Sequence, residues 1–149
     1  MTTILALDPG GTTGIVVLRT PSTLIYSAQL EFVDAVHALD SILETDRLRC
    51  ETPIDYVAIE RFTITGRTLT GTRAGTHDAL NIIGFVRARC LLKNIKLLPL
   101  QAPADAKAAF NDAVLRSTNM YNEVSGPHAR DALRHALLAA RRLKRLGET

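Results

Sequence analysis

Cysteine is scarce in this 149-residue chain, with Cys50 and Cys90 the only two. Two thiols cannot build a disulfide framework or, by themselves, a four-ligand zinc site. Free thiols in an intracellular protein are the expectation. Long apolar runs are missing too, and none approaches the roughly 20 residues of a membrane span. The start, Met1-Thr2-Thr3-Ile4, has neither the basic region nor the cleavage site of a secretory leader. Internal repeats, linkers and low-complexity segments are absent. These absences exclude a membrane protein, a secreted disulfide scaffold and a long repeat array, and they set the expectation of a cytoplasmic protein. What remains is ordinary globular composition, 46% hydrophobic and 22% charged. A single domain over 1–149 is expected, and a chain of this size buries roughly 68–70% of its unfolded surface.

The net charge of +3 conceals an imbalance. Residues 1–60 carry three basic side chains and nine acids, a balance of −6. Residues 61–149 carry fifteen basic side chains and six acids, a balance of +9. Such asymmetry points to a polyanionic partner, although many ordinary domains have one basic side.

Ile4–Asp8 is a short apolar run closed by an acid, and Pro9-Gly10-Gly11 turns the chain. Gly14–Leu18 and Thr23–Phe32 are two further β-branched or apolar runs with short links, so an antiparallel meander is expected. Phe32, Val36, Leu39, Ile42 and Leu43 then recur at helical spacing, and this helix is expected to reach about Arg49. Asp55–Glu60 reads as a fourth strand, again closed by an acid, and 61–76 as a polar loop. A helix over about 77–92, a fifth strand over Ile95–Leu100 and a helix from Pro103 to about Arg116 follow. After a polar loop over Ser117–Gly126, Pro127 opens a last helix reaching Leu146. Strands joined through a helix run parallel by a right-handed crossover. The expected fold is therefore α/β, a five-stranded mixed sheet, three antiparallel strands then two parallel, with helices on both faces.

Asp8 and Glu60 close two strands that a crossover can set side by side, where open α/β sheets bind ligands beyond their strand ends. An acid closing a strand is often only a solvated turn residue; two in register weigh against that reading. His128 and Asp131 are three apart and share a face of the last helix. Asp131 could also serve only to stabilise the helix dipole. Small residues after it let the helix lie close to the sheet and bring both groups to the same crevice. His135, four residues beyond Asp131, reads as a core or interface histidine, with a metal role as the lesser alternative. Three carboxylates and a histidine crowded together repel one another without a cation. Oxygen donors with one imidazole suit Mg²⁺ or Mn²⁺ better than zinc. A pair of such ions about 3.5–4 Å apart suits phosphodiester hydrolysis, and the basic half of the chain suits phosphates.

On these residues the chain resembles the RuvC-type Holliday junction resolvases. Ile4 to Gly14 is similar to their first motif, Ala58-Ile59-Glu60 to their second, and His128-Ala129-Arg130-Asp131-Ala132 to their closing helix motif. Ala102-Pro103 followed by Lys107 resembles the family's helix start with a functional lysine. The motifs follow in order over nearly the whole chain, which looks most like compact phage-encoded members, acting in the host cytoplasm. The resemblance implies an RNase H-like fold and a homodimeric nuclease resolving four-way DNA junctions. It implies that Asp8 bridges two Mg²⁺ ions, that Glu60 binds one, and that Asp131 with His128 binds the other. Mn²⁺ substitutes, no small-molecule cofactor takes part, and a metal-bound water attacks in line, leaving 5′-phosphate and 3′-hydroxyl ends. Lys107 then contacts the backbone near the scissile phosphate, and the helix at about 77–92 pairs with its mate.

Two departures stand out. Phe62 follows Glu60 by two positions, where the family more usually places its aromatic residue at three. The segment after Lys107 lacks further lysines, so Arg61, Arg67, Arg73 and Arg116 are expected to share the DNA contact, or else to be solvated surface charges. A relaxed nuclease of the same fold, acting on flaps, forks or RNA–DNA hybrids, is the alternative. Asp8 to Gly14 also resembles the first phosphate loop of actin-like ATP-binding domains, but the chain has no room for the second domain they need.

Overall fold

The computed structural model describes residues 1–44, 53–64 and 74–148, the side chains of 74–76 excepted. β1 (Thr3–Asp8), β2 (Thr12–Arg19) and β3 (Thr23–Glu31) form the meander, followed by α1 (Phe32–Leu43) and β4 (Tyr56–Ile59). α2 (Ala74–Lys93), β5 (Lys96–Leu97), α3 (Pro103–Ala109), α4 (Asp112–Arg116), a 3₁₀ turn (Asn119–Asn122) and α5 (Pro127–Arg145) complete the chain. The sheet order is β3-β2-β1-β4-β5. β1 pairs antiparallel with β2 and parallel with β4, and β4 pairs parallel with β5, as the crossover rule requires. No described helix is long and apolar enough to cross a membrane.

β1 is central and buried along its whole length, which is why it reads as a continuous apolar run rather than an alternation. Its side chains divide between two cores. Leu5 and Leu7, with Ile15 and Val17 of β2, pack against α1 and α2. Ile4 and Ala6, with Val16 and Leu18, pack against α5 and its small residues Ala129, Ala132 and Ala136. Gly14 marks the closest approach on this side: a Cβ there would run into the backbone carbonyl of His128. Helix and sheet meet backbone to backbone at the point where α5 begins.

Two expected elements are corrected, and a third is described only in part. The first helix is described over Phe32–Leu43 with Glu44 as its C-cap, and the part expected to reach about Arg49 lies outside the described residues. The helix expected from Pro103 to Arg116 is two helices. Phe110 leaves helical geometry at φ −136°, ψ 69°, and the Asn111 side chain accepts a hydrogen bond from the Val114 N–H at 3.0 Å. An Asn–Asp pair is a helix start, and here it restarts one. The fifth strand is only Lys96–Leu97, not Ile95–Leu100, because Pro99 has no N–H to give the ladder. Pairing resumes at Gln101, whose N–H donates to the Ile59 carbonyl at 2.9 Å and whose carbonyl accepts from Arg61 N–H at 2.7 Å. That return sets Gln101 beside Glu60.

Candidate active site

Leu7 and Ile59 are partners in the parallel ladder, and the Glu60 N–H donates to the Leu7 carbonyl at 2.9 Å. Asp8 and Glu60 therefore leave neighbouring strands at the same level, as their strand-end positions predict. The third contributor is the start of α5. Gly126, at φ 90°, occupies the N-cap, and Pro127 follows inside the first turn. No side chain of the helix's own cap closes this end. Gln29 of β3 does so from across the sheet, its Oε1 accepting the His128 N–H at 3.0 Å. With the helix seated on Gly14, His128 Nδ1 lies 2.8 Å from Asp8 Oδ2.

Asp131, one turn further, faces two cations. Lys107 Nζ is 3.5 Å from its Oδ2, and the Arg134 guanidinium pairs with its Oδ1. Arg134 is itself buried, pairs also with Asp112, and donates from Nε to the Phe110 carbonyl at 3.0 Å. It braces the Asp131 carboxylate against the point where α3 ends. His135, only 1% exposed, completes the group. Its Nε2 donates to Glu60 Oε2 at 2.7 Å, and its Nδ1 stands 2.8 Å from Gln101 Oε1.

These groups act on one another. Burial pushes the Asp8 carboxyl up from 3.8 to about 6; the His128 hydrogen bond and charge oppose this, and the nearby charges of Glu60 and Asp131 add to it. A buried carboxylate raised in this way is a site where negative charge is short of compensation. As arranged, each carboxylate turns to a protein partner. Among the described residues no three His, Cys, Asp or Glu side chains are drawn together enough to hold a metal ion between them. The donor chemistry nonetheless fits a hard divalent cation: three carboxylates and one imidazole, with the deepest carboxylate destabilised by burial and, less, by its acidic neighbours.

Of the expected DNA-contacting residues, Lys107 faces Asp131. Arg61 is exposed beside Glu60, and Arg116 is exposed at the end of α4. Phe62 is half-buried and packs against the core on the α1–α2 side, a position that its spacing from Glu60 left open. Arg67 and Arg73, like Cys50, lie outside the described residues. Cys90 is buried in the same core, and burial pushes its thiol up to about 11, so it stays protonated. Ile82, Ile83 and Val86 of α2 are core, with Phe85 half-buried beside them.

Four contributors escaped the sequence reading: Gln29, Gln101, Arg134 and the Glu60-facing role of His135. Arg134 carried a usable signal, since it follows Asp131 by three residues on one helix. The two glutamines carried none, because their partners lie 99 and 34 residues away.

No family model matches the sequence, and no curated protein does. Solved structures do match. One is Thermus thermophilus RuvC in complex with a Holliday junction substrate, at TM-score 0.71 and 18% identity, covering 99% of this chain and 98% of that one. A second structure of Thermus thermophilus RuvC matches at TM-score 0.69 and 17% identity, with coverage of 99% and 98%. The chain has the RuvC fold from end to end.

Proposed function

We propose that this protein is a divalent-metal-dependent endonuclease that resolves four-way DNA junctions as a homodimer. The observation that carries this reading is that Asp8, at the end of β1, pairs with His128 of α5 and feels the charges of Glu60 and Asp131, in a fold shared along its whole length with a junction-bound RuvC. Asp8, Glu60, His128 and Asp131 would hold Mg²⁺ or Mn²⁺, which when bound supplies charge neutralisation and Lewis acidity at the scissile phosphate. The rest is the work of this chain's own side chains. His128 orients Asp8, and His135 with Gln101 holds Glu60 by one oxygen, the other having no protein partner among the described residues. Arg134 fixes Asp131 from behind, while Lys107, more than half exposed at 58%, offers its ammonium to a phosphate oxygen. Water adds to phosphorus and the bond to the 3′ oxygen breaks, giving 5′-phosphate and 3′-hydroxyl ends.

The outer side of α2 supports pairing of two copies. Leu80, Gly84, Ala88 and Leu91 lie along one side of the helix and are exposed, Leu91 at 83%. Two copies joined there would bring two sites to two strands.

Labelled synthetic four-way junctions, flaps and linear duplexes, incubated with Mg²⁺ or Mn²⁺, test the reading. Paired nicks in the junction and intact duplex are expected. Equal cutting of linear duplex overturns junction selectivity, and a fully active Asp131→Asn overturns the proposed ligand set.

A further inference from the structure

A cleft of about 740 Å³ opens on the far side of Asp131, between α3, α4, the 3₁₀ turn and the start of α5. Its lining includes Lys107, Asn111, Tyr121, Arg130, Asp131 and Arg134. Two of its three cations have anions already: Lys107 faces Asp131, and Arg134 spans Asp131 and Asp112. Arg130 has none. Its guanidinium makes no ion pair and no side-chain hydrogen bond among the described residues, and its Nε is shut away from water without a partner. It lies over the Tyr121 ring at 4.7 Å from the centroid, and Arg116 lies over the same ring at 5.5 Å.

This arrangement is incomplete on physical grounds. Two guanidiniums gathered on one ring repel each other, and the ring's negative face offsets only part of that. A partly buried cation without an anion is costly unless something supplies one. We propose that the Arg130–Tyr121–Arg116 cluster is a phosphodiester-binding subsite, taking a phosphate of the nucleic-acid strand that neighbours the one held at Asp8 and Asp131. Arg130 and Asp131 both line the cleft, so an occupant adjoins the acidic site through Asp131. The cleft is too large for a lone phosphate and shares Asp131 and Lys107 with the acidic site, which suits a continuous strand. Tyr121 is the platform that carries both guanidiniums.

The subsite rests on the nuclease reading for the identity of its occupant, and one experiment separates the two. Binding of a fluorescent four-way junction and of a single strand is measured by anisotropy across salt concentrations, in an Asp8→Asn background that leaves the DNA intact. Arg130→Gln is expected to weaken binding several-fold to both probes and to reduce the slope of log affinity against log salt by roughly one. Tyr121→Leu is expected to weaken binding while keeping the slope, because both charges remain. Lys96→Gln, at the opposite end of the sheet where β5 pairs with Tyr56, is expected to change neither. A slope for Arg130→Gln equal to that of its parent, in protein shown by melting to be folded, overturns the subsite even if the wild type cuts junctions. A reduced slope in a protein whose wild type cuts no DNA sustains the subsite and overturns the nuclease reading.

Discussion

Two carboxylates of the site are each held by a histidine of α5, and the two pairs are built differently. The His128–Asp8 pair is open: the His128 side chain is 43% exposed and its second ring nitrogen has no protein partner among the described residues. The His135–Glu60 pair is closed: His135 is 1% exposed and both its ring nitrogens are engaged. An open pair can exchange partners when a ligand arrives. A closed pair fixes the direction of its carboxylate and gives up that freedom. The same residue type on one helix thus serves two purposes, with burial deciding which.

The largest effect is expected at the open pair. Asp8→Asn should reduce cleavage to background while making the metal-free protein more stable at neutral pH. In the native state Asp8 ionises near 6, and in the unfolded chain near 3.8. The native state therefore holds its proton longer, and the associated stability, present below about pH 4, is lost as pH rises through about 6. A shift of this size corresponds to roughly 2–3 kcal/mol. Thermal melts of the two proteins should diverge between about pH 4 and 6, with Asp8→Asn the higher-melting above, and Mg²⁺ should narrow the gap by binding the wild-type native state. Identical melting curves at pH 7.5 would show that Asp8 carries no such burden.

At the closed pair, His135→Leu should cost 10–100-fold, roughly, in metal affinity or in activity, the usual penalty for removing a group that orients a metal-binding carboxylate. Mn²⁺ titration by calorimetry reads the affinity without reference to cleavage. His135→Gln, which can still donate to Glu60, should recover part of it. If leucine and glutamine behave alike, His135 is packing rather than positioning.

Gly14→Ala probes what brings both pairs together. Its Cβ would meet the His128 carbonyl, so α5 must shift or the sheet must give. A loss of about 1–3 kcal/mol is expected, as for other overpacked contacts. Cleavage should fall further than stability alone accounts for, because His128 moves with the backbone.

How much of this was legible follows the range of the interactions. Asp8 and Glu60 could be placed because each closes a strand that local pattern marks and the parallel register does the rest, and His128 and Asp131 because Pro127 marks the start of the helix that carries both. The sheet order followed from the crossover rule. The break at Phe110 was missed because the apolar and charged spacing runs through it, although Asn111-Asp112 was a capping signal in plain view. Pro99 similarly announced the short fifth strand. The partners of His135 could not be read, since Gln101 reaches it only after the chain leaves the ladder at Leu98 and returns. Arg130 and Tyr121 meet through loop geometry that no periodicity encodes.

The smallest predicted effect, at Gln29, sharpens the comparison most. Gln29 sits on the edge strand β3, and its side chain accepts the His128 N–H at the head of α5. Among the described residues it makes no hydrogen bond to His135 or Glu60. Gln29→Ala removes a helix cap, worth about 1 kcal/mol, and frees the first turn of α5 while leaving the middle of that helix packed. If the open pair depends on the seating of that turn, cleavage and the NMR shift of the His128 ring should respond, and the His135 ring should not. Equal perturbation of both rings would mean that the two pairs move as one body, and that burial does not divide their roles.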